Sequence, residues 1–585
     1  MKMLKAVLQP LVAQALSDLG GDASNLSSML QASREWDQGD ITLPCFPFAK
    51  MLGKAPAAIA EDLAKALSSH EAIGEVHAVN GYLNIKAAPA WLATNLLNPS
   101  NSHNAEIRTV LIEHTSANPN GPFHVGRARN AILGDTLVRL HRLHGNHVTA
   151  EYYVDDMGKQ VAVLAWALQH LDATRVEELL SEREPINPAW DGKADHERVR
   201  WYQAAQILRQ EAEGAQEIED AISTLVHASE NGDVDVLNSF EAAYQPVLDG
   251  MLTTLGRLGI HFNRFTKESE FVTNGDVSRL MDELGQLKIN GIADNGANFL
   301  DLGARGLKGK TEFFYRRGDG SSLYATRDIA YHLWKWKQCN DLINVLGEDH
   351  KLQAKQVGMT LNELGERSPE VVFYSFIKLP EGKMSTRQGN VVFMDDLLEE
   401  AQAQAAAVVK ELRPNYDAET IQTISEAVGT SAVRFNIIKV SPEKGFTFRW
   451  EDALTFEGGS APFVMYSHTR ACSIARKVEE LSGDVPSFTP QHLQSETVMN
   501  EGMIGLLRCL AVHQDRLEKA VSEHRPHLFA GHLLQLANAY NGFYRDCHII
   551  DEGVVNPFYF HVSELARTFL REGMEGVGIV PLETM

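Results

Sequence analysis

Two short segments carry residue types suited to phosphate chemistry. The first, ANPNGPFHVGRARN (117–130), sets His124, Arg127 and Arg129 around a predicted helix start, and Gly121 and Gly126 leave the backbone open to a ligand. Unpaired N–H groups and the positive dipole end make a helix start an anion site. The segment is neither a P-loop, which needs GxxxxGK followed by Ser or Thr, nor a GxGxxG fingerprint. The second, EGKMSTRQGN (381–390), packs Lys383, Ser385 and Arg387 between Gly382 and Gly389. A cationic, glycine-flanked loop can close on developing phosphate charge and then release it. Taken alone, either segment also reads as a solvated basic turn.

The elements that must position them follow from hydrophobic periodicity. IRTVLIE (107–113) is an apolar, β-branched run and predicts a buried strand. A helix is expected from about Gly126 to His144, with Leu133, Leu137 and Leu140 on one face and Gly145-Asn146 ending it. HVTAEYYVDD then begins another strand. Strand, glycine-rich turn, helix and strand make a βαβ unit, the start of a parallel nucleotide-binding sheet. Residues 160–290 read as a charged, mainly helical insertion. Strand signals return at FFYRR, INVLGED (343–349) and VVFYSFIKL (371–379), and the pattern is helical from about Asp395 onward. Upstream, IGEVHAVNGYLNIKA predicts a hairpin turning at Asn80-Gly81, beside a helix that begins at Pro56.

Composition narrows the class. A chain of 585 residues suggests roughly three or four units. A net charge of −23 argues against a general nucleic-acid coat, whose affinity rests on many basic contacts, but leaves room for a selective RNA enzyme with local basic patches. Cys45, Cys339, Cys472, Cys509 and Cys547 show no metal-site spacing and fit a reducing cytoplasm better than a disulfide framework. The N-terminal leucines recur at helical spacing, which reads as an amphipathic helix rather than a secretory signal, and no apolar run approaches a membrane span.

HVGR followed about 260 residues later by KMSTR resembles the HIGH and KMSKS signatures of class I aminoacyl-tRNA synthetases. The resemblance narrows with HTSANPNGPFHVGRARN, YYVDDMGKQV, LYATRDIAYH, VLGEDHKLQAKQ, GKMSTRQGN and FEGGSAPFVMYSHTR. From residue 114 to residue 470 these resemble the ordered landmarks of the arginyl-tRNA synthetases. The N-terminal hairpin unit and the closing GMEGVGIVPLETM are similar to that family too.

The resemblance implies a multidomain chain. It comprises an α+β N-terminal domain binding the tRNA elbow (1–100), an α/β Rossmann-type catalytic domain (101–400) with a helical insertion at about 160–290, and an all-α C-terminal anticodon-binding bundle (401–585). It implies a ligase that converts L-arginine and ATP to arginyl-adenylate and esterifies arginine onto tRNA(Arg). ATP with Mg2+ would be co-substrate, with no tightly bound cofactor and no resident metal, in a cytoplasmic monomer without a membrane partner. His124 and Lys383 would be catalytic. Gly126, Arg127, His350, Met384, Ser385 and Arg387 would hold ATP. Glu113, Asn118, Tyr324, Asp328 and Gln356 would hold arginine, with Gln353 an alternative to Gln356. Carboxylates suit a guanidinium, which is planar and always charged, and Tyr324 and Asp328, four apart, can share a helix face. Asn80, Tyr82, Tyr466, His468 and Arg470 would contact tRNA, with Arg476 and Lys477 nearby, because aromatic stacking plus basic contacts reads single-stranded loops.

The pattern departs from the family in three places. Arg127 stands where HIGH has its second histidine, and Thr386 stands where KMSK has its second lysine. GGSAPFVMY replaces GNxxPYxQY, which puts RNA contacts by Phe463 and Met465 in question. Two other readings compete. Glutamyl and cysteinyl enzymes share the signatures, but the cysteinyl zinc cluster is missing and the Tyr324/Asp328 pair suits a cationic substrate. A degenerate paralogue that binds tRNA without catalysis is countered by intact His124, Gly126, Lys383 and Asp328.

Overall fold

The structure is a computed structural model and describes residues 1–33, 38–99, 106–183, 186–211, 214–378, 392–455, 458–482, 485, 487–493 and 499–585. At the N-terminus, strands Ile73–Val79 and Tyr82–Ala87 turn at Asn80 (φ 51°) and Gly81 (φ 82°). Two positive φ values match the twist of a two-residue hairpin, and a Cβ at Gly81 would lie 2.9 Å from the Pro56 Cβ. Ile41–Pro44 and Gln31–Ala32 extend this antiparallel sheet. Helices Lys2–Asp18 and Pro56–Leu67 cover it with Leu4, Leu8, Val12, Ile59 and Leu63, all fully buried.

The central sheet has five parallel strands: β1 (Thr109–Glu113), β2 (His147–Val154), β3 (Arg264–Lys267), β4 (Asp341–Gly347) and β5 (Glu370–Tyr374). Their spatial order is β5-β4-β1-β2-β3. The chain runs outward from β1 through β3, then returns to build β4 and β5 on the other side. The switch point therefore falls between β1 and β4, where open parallel sheets bind ligands beyond their carboxyl ends. Val110, Leu111 and Ile112 are buried, because helices cover both faces of β1.

Helix α1 (Val125–Leu143) follows β1, one residue from its expected start, and is buried on nearly every side. Helices α2 (Lys159–His170), α3 (Ala194–Glu211), α4 (Ala215–Glu230) and α5 (Val234–Arg257) make the charged helical region. The insertion does not run unbroken to 290. Arg264–Lys267, inside that range, is the edge strand β3 of the central sheet. Four residues on an edge, with one buried, carry no apolar run for periodicity to detect. FFYRR also lies elsewhere than in the central sheet. It belongs to an antiparallel sheet of Asn290–Ile292, Asn298–Asp301 and Glu312–Arg316. VVFYSFIKL is not one strand, since β5 ends at Tyr374 and Ile377–Lys378 pairs with Phe446–Thr447.

Helices α6 (Tyr324–Trp336) and α7 (Lys351–Glu363) flank β4. The C-terminal bundle comprises α8 (Met394–Leu412), α9 (Ala418–Ile438), α10 (Ala461–Ser482), α11 (Glu501–Ser522), α12 (Pro526–Asp546) and α13 (Pro557–Val577). It packs directly on α1, where buried Arg434 of α9 lies 2.6 Å from Asp135 and donates to the Leu258 carbonyl at 2.7 Å. Ala511 and Val512 of α11 join the N-terminal core, and Arg508 reaches Asp40 at 3.1 Å. Among the described residues no helix is long and apolar enough to cross a membrane.

Candidate active site

A cavity of about 650 Å³ opens over the carboxyl ends of β1, β2 and β4. The turn after β1 brings Asn118 and His124 to it, and the start of α1 adds Gly126 and Arg127. Glu113 ends β1. Tyr324 and Asp328 come from the first two turns of α6, so their four-residue spacing does place both on the cavity face. His350 and Gln353 enter from the start of α7.

His124 is the residue before α1, bridged to Phe393 across an antiparallel pair. Val125 N donates to the Val392 carbonyl at 3.0 Å, and Met394 N donates to the Phe123 carbonyl at 2.7 Å. The turn is thus zipped to the segment leading into α8. A Cβ at Gly126 would meet the His124 ring at 3.0 Å, so glycine lets the imidazole lie over the helix start. Burial, then the charge of Arg127, lowers the His124 pKa to about 4. The ring is neutral at physiological pH and acts by hydrogen bonding, while positive charge comes from Arg127 and the helix dipole.

The Glu113 and Asp328 carboxylates rest on a network around a buried lysine that sequence reasoning missed. Lys335, fully buried on the fourth turn of α6, donates to Glu113 Oε2 at 2.6 Å and to Asn344 Oδ1 at 3.3 Å. His332 Nε2 accepts from Asn344 Nδ2 at 2.7 Å and from Lys335 at 3.3 Å. With Nε2 accepting, the network assigns the ring proton to Nδ1, which faces the Asp328 carbonyl at 2.7 Å and Oδ1 at 3.1 Å. Burial alone would raise the Asp328 carboxyl, but His332 and Lys335 outweigh it and hold it below its ordinary value. The only sequence signal for Lys335 was its place on the inward face of α6, one turn beyond Tyr331.

Several expectations change in three dimensions. Gln353 lines the cavity, whereas Gln356 faces away and donates to the Lys310 carbonyl at 3.2 Å. Three residues further along a helix is nearly a full turn but lies beyond the cavity mouth. Arg129 is fully buried and donates to the Ser375 and Ser441 carbonyls at 2.6 and 2.7 Å, so it is a strut and not a phosphate contact. Gly121 admits no ligand; a Cβ there would lie 2.5 Å from a methyl of Val199 on α3. Lys383, Met384, Ser385 and Arg387 lie outside the described residues.

Two further surfaces carry the RNA expectations. On α10, Arg470 lies between the exposed rings of Tyr466 and Tyr544, 4.9 and 4.6 Å from their centroids, and donates to Asn541 Oδ1 at 2.5 Å. His468 is the exception. It is 2% exposed and its Nδ1 faces the Leu582 carbonyl at 3.0 Å, which leaves it no RNA-facing surface. Two residues from Tyr466 is about 200° around the helix, on the core side. Met465 is fully buried as well, while Arg476 donates to the Glu583 carbonyl at 3.2 Å. In the N-terminal hairpin, Tyr82 packs edge-on against Phe46 at 5.2 Å, and both remain over 40% exposed. Asn80 holds the turn beside them.

Comparison with known proteins gives three family matches. "tRNA synthetases class I (R), catalytic domain" matches residues 91–450, "DALR anticodon binding domain" 464–585, and "Arginyl tRNA synthetase N terminal domain" 6–87. The arginine--tRNA ligase of Methanocella arvoryzae is 38% identical over 582 residues, 98% of this chain and 98% of that protein. That of Methanospirillum hungatei is 36% identical over 550 residues, 92% and 93% of the two chains. The arginyl-tRNA synthetase structure of Thermus thermophilus matches with a TM-score of 0.79 at 26% identity, covering 99% of this chain and 100% of that one.

Proposed function

The chain belongs to the class I arginyl-tRNA synthetases, and from that premise we propose how its residues divide the work. It is an arginine--tRNA ligase: arginine is activated with ATP and then esterified onto tRNA. The observation that carries the assignment of the site is one cavity at the sheet's switch point, with a helix N-terminus on one side and Tyr324 and Asp328 on the other.

The arginine carboxylate attacks the ATP α-phosphate and pyrophosphate leaves. The chemistry asks mainly for positioning and charge stabilisation. His124, as a neutral imidazole, donates a hydrogen bond to the phosphates, and Arg127 supplies the charge that the second signature histidine gives elsewhere in the class. Gly126 brings the α1 backbone to the nucleotide, and His350 lies at the cavity rim for the adenosine end. Lys383, with Met384, Ser385 and Arg387, stabilises the leaving pyrophosphate on the strength of its sequence alone. One such donor is worth ~3–4 kcal/mol, by analogy with oxyanion-hole donors. Magnesium enters with ATP as a co-substrate ion.

Glu113, Asn118, Tyr324, Asp328 and Gln353 take the amino acid, and Gln353 replaces Gln356 because it faces the cavity. The terminal ribose then attacks the aminoacyl carbonyl through its 2′-hydroxyl, and AMP leaves. Residues 1–100 hold the tRNA elbow through Asn80 and Tyr82, 101–400 carry the chemistry, and 401–585 hold the anticodon loop through Tyr466 and Arg470. We place the enzyme in the cytoplasm as a monomer; its five cysteines are all free.

The test is ATP–pyrophosphate exchange across all twenty amino acids, with and without tRNA(Arg). Exchange with arginine alone is expected. No exchange with any amino acid, alongside retained tRNA binding, would leave only the degenerate binding protein.

A further inference from the structure

Three carboxylates line the arginine side of the cavity, and two already have partners. Glu113 receives Lys335 at 2.6 Å and the Ser116 hydroxyl at 3.3 Å. Asp328 faces His332 at 3.1 Å. The third, Asp155, follows directly on β2, and its Oδ1 is buried without a hydrogen-bond partner. A buried carboxylate oxygen left unpaired is costly, and it is the natural seat for a donor that arrives from outside the protein.

The surroundings keep Asp155 in place. A Cβ on Gly158 would lie 2.5 Å from Asp155 Oδ1, so glycine at that position is what allows the carboxylate to fold against the start of α2. Behind it sits Glu268, fully buried on the short helix Glu268–Thr273. Its Oε1 accepts from Arg327 Nε, while its Oε2 has no partner except across the contact with Asp155. Arg327 is fixed in turn by Ser322 at 3.2 Å and by Glu230 of α4 at 3.4 Å. Burial raises the Asp155 carboxyl and pushes the Glu268 carboxyl up to about 8, so a proton shared between the two relieves their repulsion. Arg327 is therefore committed to Glu268 and Glu230, and Asp155, a lining residue of the cavity, keeps an Oδ1 without a hydrogen-bond partner in the protein.

We propose that Asp155 is a specificity-determining residue for arginine, accepting from the substrate guanidinium with the oxygen that no protein group uses. Five N–H donors in a rigid fork can engage Asp155 and Asp328 together, which a lysine ammonium or a neutral ureido group does less well. Glu268 is a positioning residue that acts through Asp155. The inference rests on the synthetase reading above.

The experiment measures KM for arginine and for ATP in tRNA-dependent exchange by the full-length enzyme and by Asp155→Asn. The expected result is a rise in arginine KM of roughly 30-fold or more, with ATP KM unchanged, as for the loss of one partner of a buried charge pair. An unchanged arginine KM overturns the proposal, and so does a parallel rise in both KM values, which would mean a structural role. Should Asp155→Asn fail to melt cooperatively, Asp155→Ser is judged by the same two values, and failure of both to fold assigns Asp155 to structure and overturns the proposal. Absence of arginine-dependent exchange in the unmodified enzyme would instead sink the synthetase reading itself.

Discussion

Asp328 Oδ1 and His332 Nδ1 face each other at 3.1 Å across one turn of α6, and Lys335, a turn below, closes the network onto Glu113. The Asp328 carboxylate, proposed to meet the guanidinium, is thus aimed by an imidazole whose other nitrogen is occupied.

Asp328→Asn keeps the shape and removes the charge. Loss of one partner of a buried charge pair costs about 2–5 kcal/mol, so arginine KM should rise roughly 30-fold or more. ATP KM should stay where it is. Steady-state exchange with each substrate varied decides it, and equal effects on both substrates would contradict the assignment.

Gly134→Ala tests the seating of α1. A Cβ there would lie 2.2 Å from the Cβ and Cγ of His114, so the helix that carries the His124 turn must shift. Overpacking of this kind costs about 1–3 kcal/mol. The variant should melt at lower temperature and lose kcat together, whereas wild-type melting with wild-type kcat would show that the contact gives way freely.

Acid should weaken the fold through its buried histidines. Burial lowers His114 and His513 to about 4, and burial with the nearby His524 and His144 lowers His141 to about 3, against an ordinary 6.5. Between pH 6.5 and 4 the unfolded chain binds protons that the native rings refuse. Stability is therefore complete above 6.5 and falls as pH drops through that window, by about 2 kcal/mol per ring at pH 5. Calorimetric melting from pH 7.5 to 4.5 should show the fall, and His114→Gln should reduce its slope. A melting temperature that holds steady over this range would refute the reading.

The ladder of Tyr466, Arg470 and Tyr544 should serve tRNA alone. A stacking contact is worth about 1–3 kcal/mol per base, so Tyr466→Ala and Arg470→Ala should raise tRNA KM roughly 5- to 150-fold in aminoacylation. Arginine KM should not move. His468→Gln, buried against the Leu582 carbonyl, should instead lower melting temperature with little effect on tRNA KM.

Local chemistry was legible in the sequence wherever one stretch of chain holds all the parts. The Asn80-Gly81 turn, β1, the HVGR helix start and the Tyr324/Asp328 face each depend on neighbours within a turn or a hairpin, and each stands where residue type and spacing put it. Spacing failed where facing is set from outside the segment. Gln353 and Gln356 sit on one helix, and only the position of β4 and the antiparallel sheet beyond it decides which meets the cavity. Arg129, two residues from Arg127, becomes a strut because the Ser375 and Ser441 carbonyls lie on its side. His468 turns inward because the C-terminal segment covers that face of α10. β3 carries too few buried residues to announce itself, and its membership of the sheet follows from pairing with β2, more than a hundred residues earlier. Lys335 under Glu113, and Asp155 with its unpaired oxygen, depend on strands and helices far apart in sequence meeting at the switch point. Residue types state which interactions are available; burial and the convergence of distant backbone decide which are made.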